Sequence, residues 1–307
     1  MVVVTIEGTN YECFTTWDDL TLAEYIALAE IEIPPRLKAL WVDEKNIEAS
    51  IAAVTQEDLE KNFPAYYVKV LGLFSNIPPL VITGLSGEVV TTLFNDYLAI
   101  FTRSLIYSVP LELTDTVEVY VPVELKSFML EGNKYYLPST LELQGQSIPL
   151  ADEKIIAFAE ASDLDLSSGE NNSDAPGKLP LFMGIYCRKQ YEEYSEELAL
   201  SRQELFLKAK MSIVWAVFFL HRKAYDFTVD MHQNIFKTGA ANDRQNDYKK
   251  SGLADFGWRG MIYEVAQAGG LGTVKEVEQA KLYDFMSYLS YLRAQAKLEE
   301  LASKRIK

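Results

Sequence analysis

Cysteine and histidine are nearly missing from this chain, with two of each in 307 residues. Cys13 and Cys187 could close one bridge at most, and neither belongs to a CxxC pair, so both read as free thiols of a reducing compartment. His221 and His232 have no HExxH, no ExxH and no neighbouring cysteine, which leaves a catalytic zinc without a ligand set. No metal and no cofactor is expected. Positive charge is also short: 29 Lys+Arg against 44 Asp+Glu give a formal net charge of −15, a field that repels phosphate backbones and anionic lipid. Direct nucleic-acid and membrane binding are therefore not expected. Long hydrophobic runs are absent too. The most apolar stretch, Met211 to Leu220, is half of the roughly 20 residues a bilayer span needs, and reads as a buried helix of a soluble protein. The opening MVVVTIEG has no basic n-region and reads as a strand rather than a secretory signal.

What is present is an ordinary folded composition, 49% hydrophobic and 24% charged. VVVTIEGTNYECF reads as two β-rich runs around Glu7-Gly8-Thr9-Asn10, a hairpin signal. Thr21 can cap the helix that follows and Glu24 can reach back to the cap, while Leu22, Tyr25, Ile26 and Ala29 recur at helical spacing. Pro34-Pro35 stops that helix. Residues 36–41, 56–61 and 65–74 read as short helices, and 87–107 as a longer one with Phe94, Tyr97, Leu98, Phe101 and Leu105 on one face. From Glu118 the texture turns to β, and Leu130-Glu131-Gly132-Asn133-Lys134-Tyr135 echoes Ile6-Glu7-Gly8-Thr9-Asn10-Tyr11, each followed by a helix-like segment (22–31 and 152–161). Two hairpins with glycine turns would share such a pattern without common origin, so duplication and coincidence both stand.

Residues 162–178 are polar, acidic and rich in Ser, Asn, Gly and Pro, and read as a linker or mobile loop. Beyond it the chain is strongly helical: one long helix over 190–226, a polar break over 237–251, a helix over 254–268, and a terminal helical pair over 273–304 opened by Thr273 with Glu276. The expected fold is α+β, predominantly helical. It divides as a hairpin-plus-helices region (1–117), a β-rich segment with a helix (118–162), an acidic loop (163–178) and a helical domain (179–307).

No catalytic motif emerges, so catalytic, cofactor-binding and metal residues are all read as none. Glu192, Glu193, Glu196 and Glu197 read as a solvated face in the first turns of a helix. Asp163 to Asp174 fails as a calcium loop, with Ser168 where glycine is needed and Asp174 in the bidentate place. Gly177-Lys178 lacks Walker spacing, and Gly269 to Gly272 joins two helices, so neither supports a phosphate site. On the terminal helix Leu282, Phe285, Leu289, Leu292 and Ala296 form a seam, with Tyr283, Tyr288 and Tyr291 outside it. Tyrosine suits interfaces, since its ring adds apolar area and its hydroxyl a polar handle.

Two stretches carry a resemblance: VTIEGTNYECFTTWDDLTLAEYIAL near the N-terminus and FGWRGMIYEVAQAGGLGTVKEVEQAKLYDFMSYLSYLRAQAKLEE near the C-terminus. They resemble the opening and closing parts of tail-morphogenesis and tail-assembly-chaperone-like proteins of tailed bacteriophages, including phages of Bacteroidota. The resemblance implies a non-enzymatic phage morphogenesis or virion protein that holds protein surfaces, located in the virion or the cytoplasm of the infected bacterium. Partners would be tail, neck or tape-measure proteins, or further copies of the chain. Trp17, Tyr25, Trp258, Tyr283, Tyr288 and Tyr291 would form its interaction surface. Two other readings compete: a carboxylate-dependent hydrolase needing a buried pair among Asp18, Asp19, Glu192 or Glu196, and a cellular helical adaptor.

Overall fold

The computed structural model describes residues 2–6, 8–13, 20–31, 64–87, 89–90, 93, 125–143, 145–164, 166, 175–236 and 256–305. The expected helices over 36–41 and 56–61, most of that over 87–107, the first β residues from 118 to 124 and the polar break over 237–251 lie outside them. The fold is α+β with helix in excess. The chain forms two compact units, each built from three separate stretches: Met1–Pro122, Leu166–Pro180 and Glu204–Val214 in the first; Val123–Asp165, Leu181–Gln203 and Trp215–Lys307 in the second. A division into four consecutive regions is therefore not how the chain compacts.

In the first unit, strands β1 (Val2–Ile6) and β2 (Thr9–Cys13) pair antiparallel in the register Ile6↔Thr9, with Gly8 at φ 81° in the turn before Thr9. The outer edge of β2 is sealed by Asn76, whose N–H donates to Glu12 O and whose side-chain oxygen accepts from Glu12 N. Helix α1 (Leu22–Ala29) begins with the expected capping box of Thr21 and Glu24. Its first two N–H groups, which have no partner inside a helix, donate instead to Ala209 O and Leu207 O. Helices α2 (Pro64–Phe74) and α3 (Pro79–Gly84) follow, and Tyr25, Leu28, Val70, Phe74, Ile82 and Phe206 lie in this unit's core.

The second unit opens with two hairpins: β3 (Ser127–Leu130) with β4 (Asn133–Tyr136), and β5 (Thr140–Leu143) with β6 (Gln146–Pro149). Each turn ends in a glycine of positive φ, and Glu131 at φ 48° with Gly132 at φ 74° shows the primed turn that fits strand twist. Then come α4 (Ile155–Asp163), α5 (Ala175–Tyr186), α6 (Glu196–Ser201), α7 (Gln203–Phe206), α8 (Met211–Met231), α9 (Gln233–Phe236), α10 (Gly257–Ala268), α11 (Val274–Glu278) and α12 (Leu282–Arg305). Of these, Glu204–Phe206 of α7, Ala175–Pro180 of α5 and Met211–Val214 of α8 belong to the first unit.

Two expectations need correction. The loop over 162–178 is helical at both ends: α4 runs to Asp163, and α5 starts at Ala175 with Pro176 in its first turn, where a missing N–H costs nothing. Residues 165 and 167–174 lie outside the described set. The single helix over 190–226 is in fact α6, α7 and most of α8. Tyr191 adopts φ 63°, Ser195 caps α6 through Leu198 N, and the chain turns again at Leu207 to Lys210 to meet the start of α1. Helical propensity is continuous there, but those tertiary hydrogen bonds need breaks.

The same device fixes helix starts in both units. In the first, Leu22 N donates to Ala209 O and Met211 N to Leu20 O, around a Thr21↔Lys210 bridge. In the second, Ile155 N donates to Ala280 O and Leu282 N to Glu153 O, around a Lys154↔Lys281 bridge. Each clasp joins the N-termini of two helices reciprocally, each first N–H bonding a carbonyl of the other strand. Even the approach repeats: Ala209 N donates to Phe206 O and Ala280 N to Val277 O, both at 3.0 Å, before Ala-Lys-Met and Ala-Lys-Leu.

Candidate functional site

The interior of the second unit holds the chemistry. Glu153 sits at its clasp, after Leu150 at φ 56°, with its side chain buried. Burial pushes its carboxyl above the ordinary value; the Arg188 guanidinium, which donates to it directly, and Lys154 N–H at 3.0 Å pull the other way. Beside this ion pair, Tyr186 Oη and His221 Nδ1 lie 2.7 Å apart, both buried. Phe158 and Phe182 flank the imidazole, with ring centroids at 5.2 and 5.5 Å. Burial, with Arg222 adding to it, pulls the His221 pKa down to about 4, so the ring is neutral at neutral pH. Burial likewise raises the Tyr186 phenol and the Cys187 thiol, both left protonated. The thiol is therefore no ready nucleophile or metal ligand. Tyr283 closes the row by donating to Pro149 O at 2.6 Å, its phenol pushed up to about 12, mainly by burial.

A second group lies nearer the surface. Glu160 on α4 accepts from Tyr194 Oη and, at 2.9 Å, from Arg259 Nη2. Its carboxyl is raised by burial first, with the Tyr194 bond opposing. Asp163, one turn on, accepts from the backbone of Trp258 and faces Arg259. Gly257, at φ 49°, has this Asp163 carboxyl 3.1 Å from where a Cβ would stand, so glycine serves both the backbone angle and the approach. These contacts tie the end of α4 to the start of α10. Among the described residues no three His, Cys, Asp or Glu side chains assemble around a point where a metal ion could sit.

No known protein family matches this chain, and no curated protein or solved structure matches it either. The reading of the site therefore rests on its own residues.

The six aromatic residues named from the sequence do not form one surface. Trp17 lies outside the described residues. Tyr25 is 1% exposed in the first unit's core, and burial raises its phenol. Trp258 is 7% exposed, edge-on to Phe158 at 4.9 Å. Both are corrected from surface to core: aromatics at helical spacing gain more by burying their rings than by showing them. Tyr283 is half-buried, its hydroxyl held by Pro149 O. Tyr291 does reach outward and stacks at 6.3 Å on the half-buried Tyr288, whose ring lies over Gly270, where any Cβ would collide with it. The carboxylates proposed for hydrolysis are not brought together as a buried pair where they are described. Glu196 is exposed; burial opposes ionisation of Glu192, but Arg202 and Lys189 N–H hold its carboxyl below the ordinary value. Asp18 and Asp19 lie outside the described residues. Of the glutamates placed in one helix's first turns, Glu196 and Glu197 open α6 while Glu192 precedes it.

Sequence reasoning passed over Glu153, Tyr186, Arg188, Glu160 and Tyr194. The one local signal was Tyr-Cys-Arg closing the apolar run LFMGIYCR, an abrupt charge after buried spacing. It also passed over Gly184, whose Cβ would stand 2.5 Å from Ala199 O and so marks a backbone contact of α5 with α6.

Among the described residues no helix is long and apolar enough to cross a membrane.

Proposed function

We propose that the chain is a non-enzymatic morphogenesis or virion protein of a tailed bacteriophage, acting through contacts with tail, neck or tape-measure proteins. The observation that carries this reading is the pair of stretches resembling such proteins at the two ends of the sequence. The first forms the β1–β2 hairpin and the clasped start of α1; the second forms α10, α11 and most of α12. Support of another kind comes from the second unit's interior, where ionisable groups are paired or held neutral and act as fixtures of the fold.

The test is mass spectrometry of purified phage particles and of the infected-cell lysate. Presence in the particle at fixed copy number makes the chain a structural or cargo protein. Presence in lysate alone, co-purifying with a tail protein, makes it an assembly chaperone. If it is found with no phage protein in either fraction, the reading fails.

A further inference from the structure

The turn between α5 and α6 is held from several sides yet turns one large side chain entirely outward. Arg188 O accepts from Tyr136 N at 2.8 Å and Arg188 N donates to Tyr136 O at 3.3 Å, tying the turn to β4. Tyr136 Oη donates to Gln190 Oε1 at 3.5 Å. Glu192 accepts from Lys189 N at 2.8 Å and from Arg202, whose guanidinium lies over the Tyr135 ring at 5.7 Å. Inside this frame Tyr191 adopts φ 63°, a left-handed conformation that suits glycine or asparagine and is unfavourable for a residue with a bulky side chain. Its side chain is 95% exposed.

A tyrosine there is costly twice over: the backbone is strained and the ring covers nothing. Strained backbone in a rigid frame is typical of positions kept for contact rather than for folding. The backbone that carries the ring is held, so less backbone freedom remains to be lost on binding, and tyrosine is among the residue types that dominate protein interfaces. The charge around it is predominantly acidic: Glu193, Glu196 and Glu197 are exposed on the same turn and the helix it leads into, against the exposed cations Lys189 and, over the Tyr136 ring at 5.1 Å, Lys134. We infer that Tyr191 is a preset anchor for a protein partner whose surface offers a pocket for the ring, rimmed by lysine or arginine. This inference rests on the chain working by protein contacts, and not on the partner being a phage protein.

The test places the photo-crosslinker p-benzoylphenylalanine at position 191 of the full chain in the producing bacterium, with the same group at Tyr225, also exposed, as control. The expected result is one identified protein crosslinked from 191 and not from 225, through a peptide bearing Lys or Arg. With that protein purified, Tyr191→Gly should weaken binding about tenfold or more, while Tyr191→Phe stays within about threefold. Glycine relieves the backbone, so its melting temperature should be unchanged or higher, which separates loss of contact from loss of fold. Glu193→Gln, Glu196→Gln and Glu197→Gln together should weaken binding at low salt and flatten its salt dependence. The inference is overturned by crosslinks from 191 to no protein, to a second copy alone or to an acidic surface, or by Tyr191→Gly binding within twofold of the parent. A partner from outside any virion would sink the phage reading and leave the anchor standing. A virion partner bound without loss in Tyr191→Gly would do the reverse.

Discussion

The two clasps share a backbone and differ in what they bury. Where the first has Leu20, fully buried, the second has Glu153, almost as enclosed and paired with Arg188. The first unit's described core is apolar apart from tyrosine hydroxyls, whereas the second adds an ion pair and a Tyr186–His221 hydrogen bond. One hydrogen-bond pattern therefore tolerates either interior, and the choice changes how the units respond to mutation and acid. An apolar residue at the clasp needs only to be covered. A carboxylate there needs a partner, because an unpaired buried charge is costly.

The sharpest break in the comparison is Arg188→Ala. It leaves Glu153 buried and unpaired and should destabilise the second unit by about 3–5 kcal/mol at neutral pH, less in acid as Glu153 takes a proton. Replacing both partners, Glu153→Leu with Arg188→Met, copies the first clasp and should recover most of the loss. Denaturant unfolding followed by amide exchange in each unit separates these outcomes, and a double variant as unstable as Arg188→Ala would show that the clasps are not interchangeable. Trp258→Ala, which empties the space against Phe158, should cost about 3–5 kcal/mol, with amide protection lost across α4 and α10. An unchanged melting temperature would remove Trp258 from the core.

Acid should separate the units next. Burial holds the folded His221 pKa at about 4 against 6.5 for the free side chain. The unfolded chain therefore binds the proton first. The stabilisation is complete above pH 6.5, falls as pH drops toward 4, and its full loss is about 3 kcal/mol. His221→Asn should flatten this slope in a urea titration across that range. A parent slope unchanged by the substitution would place the acid response elsewhere. Proline tests the shared pattern itself: Ala209→Pro and Ala280→Pro each remove a matching N–H bond before a clasp, and each should cost its own unit about 3 kcal/mol. Exchange at Leu22 and Met211 should accelerate in the first variant, and at Ile155 and Leu282 in the second. Equal acceleration at all four amides in either variant would refute two independent clasps. The smallest effect is expected at the caps, where Thr21→Ala should cost about 1 kcal/mol and Thr273→Ala no more, as read by thermal unfolding.

Much of the local structure was written in short stretches of sequence. The turn at Gly8, the Glu131-Gly132 turn, the capping boxes at Thr21 and Thr273 and the left-handed Gly269 that ends α10 depend on residues within a few positions of one another. The β5–β6 turn was equally local, since Gly145 at φ 81° ends it as Gly132 ends its neighbour. The recurrence of Ala-Lys before Met211 and Leu282 was also visible, but as two residues it meant nothing until the hydrogen bonds around them proved alike.

Tertiary structure decided the rest. The helical pattern ran on through 190–226, but the bonds of Arg188 to Tyr136 hold a turn before Ser195, and those from Leu22 and Ala23 to residues 209 and 207 hold another. Trp258 and Tyr25 carry the composition of an interface and lie in cores, because burial depends on which faces meet and not on residue type. Glu153 and Arg188, or Tyr186 and His221, each stand 35 positions apart. Composition thus determined an acidic, mostly helical α+β chain with helix starts and turns in place. Which charges became buried and paired, and which tyrosine was left outside on a strained turn, was settled by packing between segments far apart in sequence, because desolvation acts on neighbours in space.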